Sequence, residues 1–432
     1  MIRKLCALGA LLLLSACGGG GGGGGGSASS TPAAPLTNFA TITVDNGPAA
    51  LSVGPNGYTS DDAAFVSVTI CAPGTSNCQT IDHVLVDTGS VGLRLLDSVV
   101  NSSVLSALPN ETDSQSNPVG ECYEYVDGYV MGSVRQADFQ VGGESVSNMP
   151  LQIIGDTGAF STVPSSCSSG GGPDLNTVQA LGANGVIGIG VTTTDCGVFC
   201  TSSGGFAAAI YYDCPNSGCS TIIARNAATA APFQQLPNPV AAMSVDNNGT
   251  ILSLPSSPAV GEASMTGTLF FGIGTQTNNA LGSATVLTTT GSSSPGGPGL
   301  VTAVYKNNTL ANSFLDSGSN AYYFIDSTIT ACTATGFVGF YCPASPMTVS
   351  PTIVGQNNVQ ASGAFTLNNA QTIFASNFAV SPGIGANPAA ISSFTPFPSS
   401  FDFGLTFFYG RNVYTALEGR TAGSATGPYF AF

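Results

Sequence analysis

The chain has 432 residues, of which 43% are hydrophobic and only 7% are charged, enough apolar material for a large core, and this excludes a mainly disordered protein. The formal net charge of −15 argues against a nucleic-acid partner, because a polyanion would be repelled. The 56 glycines and 26 prolines, with abundant Thr, Val and Phe and few charged residues, predict an all-β fold with few short helices.

The N-terminal segment, residues 1–16, is predicted to be a lipoprotein signal peptide. Arg3 and Lys4 precede an apolar stretch, Leu5–Leu14, which is too short to span a membrane. The following Ser-Ala-Cys resembles a bacterial lipobox, in which cleavage before Cys17 leaves a thiol for lipid attachment. The alternative interpretation is an ordinary cleaved signal peptide with an incidental cysteine.

Residues 17–38 are predicted to be a flexible tether. Nine consecutive glycines, Gly18–Gly26, are followed by a stretch rich in Ser, Thr, Pro and Ala up to about Pro35, and this composition has no capacity to pack. A glycine after Cys17 resembles lipoproteins sent to an outer membrane. The sequence therefore predicts a protein of the bacterial cell envelope, held at the membrane by a lipid on Cys17 and facing either the periplasm or the exterior.

Ten cysteines remain when Cys6 and Cys17 are removed from the 12 in the sequence, and this even number in an exported chain predicts up to five disulfides. Three pairs would close two small loops and one larger one: Cys71/Cys78, Cys332/Cys342 and Cys122/Cys167. The other four pair either within or across two clusters: Cys196, Cys200, Cys214 and Cys219. A zinc site is the competing interpretation for these four, although no histidine is near them.

His83 is the only histidine, so any Ser-His or Cys-His nucleophilic mechanism would have to use it, and histidine-rich metal sites are excluded. In an extended strand it would lie about 13 Å from Asp87, beyond direct proton relay, at roughly 3.3 Å per residue. We therefore predict a structural role for His83, and we expect neither a metal nor an organic cofactor.

One motif occurs twice. The segments Val84–Ser90 and Ser313–Ser319 both contain apolar residues followed by Asp-Thr/Ser-Gly-Ser. Asp87 and Asp316 are therefore candidates for two carboxylates that similar lobes bring face to face. The tripeptide alone is a weak signal, because a third copy begins at Asp156. That copy lacks the trailing serine, and we interpret it as a turn at the end of a strand.

Together with its flanking sequences, this pair resembles the catalytic motifs of the pepsin-type aspartic proteases. Asn184–Gly190 and Phe401–Leu405 look like the two strands that cross the family's catalytic loops, although Leu405 stands where an aspartate is usual. Gly267–Gly274 looks like the opening strand of a second lobe. The likeness spans Asp61–Phe432 and is best to an uncharacterised group of bacterial pepsin-like lipoproteins.

The flap hairpin of that family is also recognisable. Tyr125 occupies the position of the flap tyrosine, and Asp127 and Gly128 follow in the turn that would face the substrate. Arg94 stands where a tryptophan usually supports the flap tyrosine, and Val126 replaces a customary glycine. The resemblance implies that Tyr125 closes over bound substrate and excludes water.

The resemblance implies a bilobal fold, with an N-terminal lobe over residues 39–250, a C-terminal lobe over residues 251–432 and a cleft between them. Asp87 and Asp316 would be the catalytic pair and would share one proton. Hydroxyls would link the two loops and hold the outer carboxylate oxygens, and glycines would let the backbone turn. These supporting residues are Thr88, Gly89, Ser90, Ser317, Gly318 and Ser319.

The sequence therefore predicts a monomeric aspartic endopeptidase that binds an extended polypeptide and uses no cofactor. One alternative is a non-catalytic pepsin-like lipoprotein that serves as an envelope binding or structural module. A glycoside hydrolase, which also uses paired carboxylates, is a further alternative. The chain has no tryptophan for the aromatic platforms that such enzymes commonly use.

Overall fold

The structure is a computed structural model. It describes residues 37–53, 59–113, 115–169, 172–197, 209–219, 221–222, 235–294, 296–391 and 399–432. The predicted signal peptide, Cys17 with nearly all of the tether, and Cys200 lie outside the described residues. The described residues form one compact unit.

The described chain is mainly β-structure, which confirms the all-β prediction. Some strands alternate exposed and buried side chains, as Phe39–Val44 does, whereas Val91–Leu96 is buried throughout because both of its faces are covered. In chain order the strands are β1 (Phe39–Val44), β2 (Ala64–Cys71), β3 (Cys78–Asp87), β4 (Val91–Leu96), β5 (Val119–Glu124), β6 (Tyr129–Val141), β7 (Glu144–Ile154), β8 (Gly185–Ile189), β9 (Ala209–Asp213), β10 (Thr221–Ile222), β11 (Gly249–Leu254), β12 (Met265–Phe271), β13 (Val286–Thr288), β14 (Val301–Tyr305), β15 (Asn308–Leu315), β16 (Tyr322–Tyr323), β17 (Met347–Val349), β18 (Thr352–Val354), β19 (Gln360–Ser362), β20 (Phe365–Leu367), β21 (Gly385–Ala386), β22 (Asp402–Phe403), β23 (Arg411–Ala416), β24 (Thr421–Ala422), β25 (Ala425–Thr426) and β26 (Tyr429–Ala431).

The helices of the described chain are short, as predicted. The α-helices are α1 (Ser102–Leu105), α2 (Ser165–Ser168), α3 (Val178–Leu181) and α4 (Ala370–Phe374). Turns of 3-10 helix lie at Ala49–Ser52, Asp97–Val99, Gly158–Phe160, Pro388–Ala390 and Leu405–Phe407. Side chains cap two of the α-helices, because Thr177 accepts a hydrogen bond from the amide of Ala180 and Asn369 accepts one from Thr372. No helix in this part of the chain is long and apolar enough to cross a membrane.

The largest sheet has fifteen strands, in the order β10-β9-β5-β6-β7-β4-β8-β3-β2-β1-β12-β11-β23-β26-β13. This sheet contains strands from both halves of the sequence, because β1 pairs antiparallel with β12, from Phe39 opposite Phe270 to Val44 opposite Met265. A second sheet has seven strands, in the order β19-β18-β14-β15-β22-β16-β21. The first strand of the described chain is therefore hydrogen-bonded to the second half of the sequence.

One four-strand arrangement occurs twice in these sheets. In the first copy, β8 lies between β3, to which it is parallel, and β4, to which it is antiparallel, and β4 is parallel to β7. In the second copy, β22 lies between the parallel strand β15 and the antiparallel strand β16, and β16 is parallel to β21. The first strand of one copy ends at Asp87, and that of the other ends one residue before Asp316. The duplication seen in the motifs is thus also a duplication of strand pairing.

Stacked aromatic rings fill the core behind the second copy. The ring of Phe401 stacks on Phe324 and on Phe403, with centroids 4.6 Å apart in both pairs. All three side chains are fully buried. Burial of each ring contributes about 2 kcal/mol to folding, and stacked geometry adds to this. This packing anchors β22, which pairs with β15 just before the loop that begins at Asp316.

Disulfides are present, as the sequence predicts. The described cysteines form the bonds Cys71–Cys78, Cys122–Cys167, Cys214–Cys219 and Cys332–Cys342. The Cys214–Cys219 bond shows pairing within a cluster, and it removes two of the four thiolates that the alternative zinc site would use. Cys196 is also disulfide-bonded. The Cys122–Cys167 bond spans 45 residues and ties β5 to α2.

Candidate active site

The two Asp-Thr/Ser-Gly-Ser loops start at equivalent places in the duplicated arrangement. Asp87 is the last residue of β3, and Asp316 follows the last residue of β15. A crossing strand lies beside each of them: Asp87 is opposite Gly188, and the amide of Asp316 donates to the carbonyl of Phe403 over 3.0 Å. Asp87 is 6% exposed and Asp316 is partly exposed. Both carboxyls therefore belong to a largely buried site with limited access to solvent.

The glycine of each loop packs on the carboxyl of the other loop. A Cβ atom added at Gly89 would lie 2.7 Å from Oδ1 of Asp316, and a Cβ atom added at Gly318 would lie 2.7 Å from Oδ1 of Asp87. No side chain fits at such distances. Burial raises the pKa of Asp316, and charge and hydrogen bonding from Asp87 raise it further, so the two carboxyls interact directly. The structure thus brings together the two aspartates that lie far apart in the sequence.

The first loop holds its own carboxyl at both oxygens. The backbone amide of Gly89 donates to Oδ1 of Asp87 over 2.7 Å, and the amide of Ser90 donates to the same oxygen over 3.2 Å. The hydroxyl of Ser90 donates to Oδ2 of Asp87. These donors fix the rotation of the carboxyl group and stabilise its negative charge.

The second loop repeats this arrangement. The amide of Gly318 donates to Oδ1 of Asp316 over 2.8 Å, and the hydroxyl of Ser319 donates to Oδ2 over 2.8 Å. Each carboxyl therefore receives the glycine amide and the serine hydroxyl from equivalent positions of its own loop, and Asp87 receives the amide of Ser90 as well. The serine that follows the glycine in both loops, and is missing from the copy at Asp156, donates its hydroxyl to the carboxyl of the same loop.

Thr88 and Ser317 bind the two loops to each other. The amide of Thr88 donates to Oγ of Ser317 over 3.1 Å, and the amide of Ser317 donates to Oγ1 of Thr88 over 2.9 Å. Their hydroxyls then donate to carbonyls of the opposite strands, Thr88 to Leu315 over 3.2 Å and Ser317 to Val86 over 2.7 Å. Both side chains are buried. This reciprocal linkage sets the distance between the two carboxyls.

The electrostatics of the pair favour a shared proton. Burial raises the pKa of Asp316 well above its ordinary value, and the neighbouring charge of Asp87 raises it further. Ionising both groups would place two negative charges in contact, so the pair retains one proton over a broad pH range. The site then holds a proton donor beside a proton acceptor, which is the requirement for general acid–base chemistry.

The predicted flap residues form the turn between β5 and β6. The amide of Tyr125 donates to the carbonyl of Gly128 over 2.8 Å and closes a turn that contains Asp127. The ring of Tyr125 lies 4.8 Å from that of Tyr123, whereas its buried hydroxyl has no hydrogen-bond partner. Burial raises the pKa of Asp127, and the charge of Asp87 contributes, so the turn lies within electrostatic reach of the carboxyl pair.

A buried charged cluster packs against the ring of Tyr123, and the sequence did not predict it. Arg94 of β4 is fully buried, and its Nη2 atom donates to Oε1 of Glu121 over 2.6 Å and to Oδ2 of Asp195 over 3.2 Å. Its guanidinium carbon lies 3.7 Å from the centroid of the Tyr123 ring. Burial, followed by the charge of Glu121, raises the pKa of Asp195. A planar cation stacked on a ring therefore stands where the resemblance places a tryptophan.

The remaining candidates have structural contacts of their own. Asp156 follows β7 and accepts a hydrogen bond from Arg135 over 3.0 Å, in agreement with its interpretation as a residue at the end of a strand. His83 lies 3.2 Å from Asp45 and 3.3 Å from Asp82, and the hydrogen bond with Asp45 raises the pKa of His83. No group of three or more His, Cys, Asp or Glu side chains is placed to hold a metal ion among the described residues.

Asp402 is a third carboxyl near the pair, and the motif comparison did not single it out. It is 3% exposed and lies on β22, between β15 and β16. In the first copy of the arrangement the equivalent position, two residues before the crossing glycine Gly188, is the buried Val186. The signal available in the sequence was an aspartate at a strand position whose counterpart is apolar.

Comparison with known proteins gives a family and similar solved structures. The sequence profile of the family described as "Protein of unknown function (DUF3443)" matches residues 34–432. No curated protein matches the chain. Among solved structures, the crystal structure of aspartic proteinase from Irpex lacteus is similar, with a TM-score of 0.48 and 15% sequence identity, over 91% of this chain and 96% of that chain.

Proposed function

Since the chain belongs to the DUF3443 family, whose function is unknown, we propose a function from the site itself: an aspartic endopeptidase that uses the Asp87/Asp316 pair. The reciprocal packing of Gly89 on Asp316 and of Gly318 on Asp87 carries this proposal. Turn residues of an ordinary β-protein have no need to converge in this way. Duplicated amide and serine donors on the two carboxyls support the same function.

The proposed reaction needs one proton on the carboxyl pair. The ionised carboxyl accepts a proton from a water molecule, and the resulting hydroxide attacks the carbonyl carbon of the peptide bond. The protonated carboxyl gives its proton to the carbonyl oxygen, so a neutral diol forms and the pair still holds one proton. Transfer of a proton to the leaving nitrogen then breaks the C–N bond and yields an acid and an amine. The fixed amide and hydroxyl donors keep both carboxyls in place throughout.

We propose that the substrate is a polypeptide in an extended conformation, bound between the Asp127 turn and the carboxyl pair. Tyr125 would cover the bound chain and exclude water. We also propose, from the sequence, that the protein is a monomer in the bacterial envelope and is anchored by a lipid on Cys17. The competing function is a non-catalytic envelope module that binds polypeptide without cleaving it.

Incubation of the purified protein with a mixed peptide library, from about pH 3 to 7, tests this function. We expect cleavage within peptides, with an optimum on the acid side of neutrality, and inhibition by a statine-type compound that mimics the diol. Mass spectrometry of the products gives the cleaved bonds. Absence of cleavage at every pH, together with retained binding of the inhibitor, would instead favour the binding module.

Replacement of Tyr125 by Phe should leave catalysis nearly unchanged, with kcat/KM within about 3-fold of wild type. The reason is that the buried hydroxyl of Tyr125 has no partner to lose. The free energy of unfolding should rise by about 1 kcal/mol, because an unsatisfied polar group is removed. Tyr125→Ala, which removes the covering ring, should lower kcat/KM by at least about 10-fold. Equal losses in the two variants would show that the hydroxyl itself acts in the reaction.

A further inference from the structure

We propose that a polar cavity beside the Asp87 loop is a subsite for the substrate, and that Glu418 in this cavity selects a lysine or arginine side chain. This inference rests on the proposed function and adds a substrate preference to it. The cavity has a volume of about 520 Å³, which is within the range of ligand pockets. Six polar side chains line it: Thr192, Thr193, Thr194, Gln235, Ser292 and Glu418. The last two belong to the predicted C-terminal lobe and the others to the predicted N-terminal lobe, so the cavity lies where the two meet.

The segment that begins at Gly190 connects the Asp87 loop to the cavity. The amide of Gly190 donates to the carbonyl of Ser90 over 2.8 Å, and a Cβ atom added at Gly190 would lie 3.1 Å from the carbonyl oxygen of Thr88. The three threonines of the lining follow Gly190 in the chain and lie within about 13 Å of it, at roughly 3.3 Å per residue. An extended peptide advances by the same distance per residue. A substrate residue about two to four positions from the cleaved bond therefore reaches the cavity.

Buried hydrogen bonds hold both walls of the cavity in place. The side-chain amide of Asn238, which is fully buried, donates to the carbonyl of Gly190 over 2.8 Å and to that of Thr192 over 3.1 Å. On the opposite wall, the backbone amide of Glu418 donates to the carbonyl of Val191 over 2.8 Å. The position of Glu418 is therefore fixed relative to the segment that leaves the first Asp-Thr-Gly-Ser loop. A subsite built in this way is already ordered before a substrate binds.

Glu418 supplies the only charge among the described residues that line the cavity. The backbone amide of Ser292 donates to both of its carboxylate oxygens, over 3.2 and 3.1 Å, and so orients the carboxylate. Each carboxylate oxygen can accept a further hydrogen bond. Glu418 is half-buried, and no cation of the described chain forms an ion pair with it. A partly desolvated carboxylate without a cation of its own is complementary to an ammonium or guanidinium group.

The rest of the lining and the charge of the whole chain favour the same ligand. Threonine hydroxyls beside the carboxylate can accept hydrogen bonds from the N–H groups of a long cationic side chain. An apolar side chain would instead cover these polar groups without pairing them. The chain has 8 basic and 23 acidic residues, so its electrostatic field attracts basic peptides and repels acidic ones.

Glu418→Gln tests the subsite, because glutamine keeps the volume and an oxygen that accepts from the amide of Ser292. Wild type should cleave mainly peptides that carry lysine or arginine at one position, and Glu418→Gln should lower kcat/KM for these peptides by about 10-fold, chiefly through KM. Peptides with norleucine at that position should change by less than about 2-fold. Glu262→Gln is the matched control, because it removes one charge from a half-buried glutamate outside the cavity lining. It should leave the preference unchanged.

Binding should also be measured without reference to activity, by fluorescence anisotropy of a labelled alanine-rich peptide that contains lysines. We expect this peptide to bind about 10-fold more tightly than its counterpart with norleucine in place of lysine, and Glu418→Gln, but not Glu262→Gln, to abolish the difference. This result in a protein that cleaves no peptide would support the subsite and contradict the proposed function. Cleavage without a preference for basic residues, or a preference that Glu418→Gln leaves unchanged, would overturn the subsite alone. Equal binding of the two peptides by wild type would overturn it as well.

Discussion

Alanine at Gly89 or at Gly318 is expected to lower kcat/KM for peptide cleavage by at least about 10²-fold. The added methyl group of Gly89→Ala would meet the carboxyl carbon of Asp316 at 2.7 Å, and that of Gly318→Ala would meet the carboxyl carbon of Asp87 at 2.7 Å. Relief of either clash requires the two loops to separate, and the linkage between Thr88 and Ser317 opposes this movement. The carboxyls would then no longer share a proton in the productive geometry.

Gly296→Ala is the matched control for these two substitutions. An added Cβ atom at Gly296 would lie 3.3 Å from the end of the Leu300 side chain, which can move by a few tenths of an ångström. Its kcat/KM should therefore stay within about 2-fold of wild type. Circular dichroism and binding of a statine-type inhibitor would show whether the loop variants still fold. Full activity in Gly89→Ala or Gly318→Ala would mean that the two carboxyls do not approach as the structure shows.

The largest effect on stability is expected for Arg94→Met, with a loss of about 3–5 kcal/mol in the free energy of unfolding. The substitution leaves Glu121 and Asp195 buried without their cation. Since burial and Glu121 raise the pKa of Asp195, that carboxyl can take up a proton as the pH falls. The destabilisation should therefore be largest at neutral pH and smaller at about pH 4, as measured by urea unfolding.

The triple variant Arg94→Met, Glu121→Gln, Asp195→Asn distinguishes lost charge pairing from lost packing. It removes the two negative charges that Arg94→Met leaves without a partner, and the side chains keep similar volumes. It should therefore recover at least half of the stability that Arg94→Met loses. A triple variant as unstable as the single one would assign the effect to the stacking of Arg94 on Tyr123. A single variant as stable as wild type at neutral pH would contradict the buried ion pairs.

The main part of the candidate site was predictable because the same Asp-Thr/Ser-Gly-Ser motif occurs twice in the sequence. Asp87 and Asp316 stand in duplicated settings, and the hydroxyl and glycine neighbours of each are local in the chain. The structure adds what local sequence cannot contain, which is that Thr88 of one loop hydrogen-bonds with Ser317 of the other. These hydrogen bonds between two distant loops depend on tertiary packing. They could be expected from the sequence only through its resemblance to the pepsin-type aspartic proteases.

Other features escaped prediction for physical reasons. The strand that contains Arg94 shows only that one charged residue interrupts an apolar run, and its partners Glu121 and Asp195 come from other parts of the chain. Asp402 likewise lies in a short aromatic segment whose pairing partners, β15 and β16, are far away in sequence. Buried charges of this kind are recognised by what surrounds them, and periodicity does not report those surroundings.

The partner strand of β1 could not be predicted from the sequence either. Its alternating pattern predicts one buried face but not the strand that covers its edge, and β12 lies in the second half of the sequence. By contrast, three disulfide pairs could be proposed from the sequence, and two of them, Cys71–Cys78 and Cys332–Cys342, join cysteines that lie close in the chain. The pairing of Cys214 required the structure, because two clusters offered several partners.

The most direct test of the shared-proton mechanism is kcat/KM of Asp87→Asn, Asp316→Asn and the double variant on one peptide that the wild-type protein cleaves. We predict that each single variant loses at least about 10³-fold. The double variant should be hardly worse than either single one, because the two carboxyls act as one unit. Retention of most of the wild-type kcat/KM in either folded single variant would contradict a mechanism that depends on the Asp87/Asp316 pair.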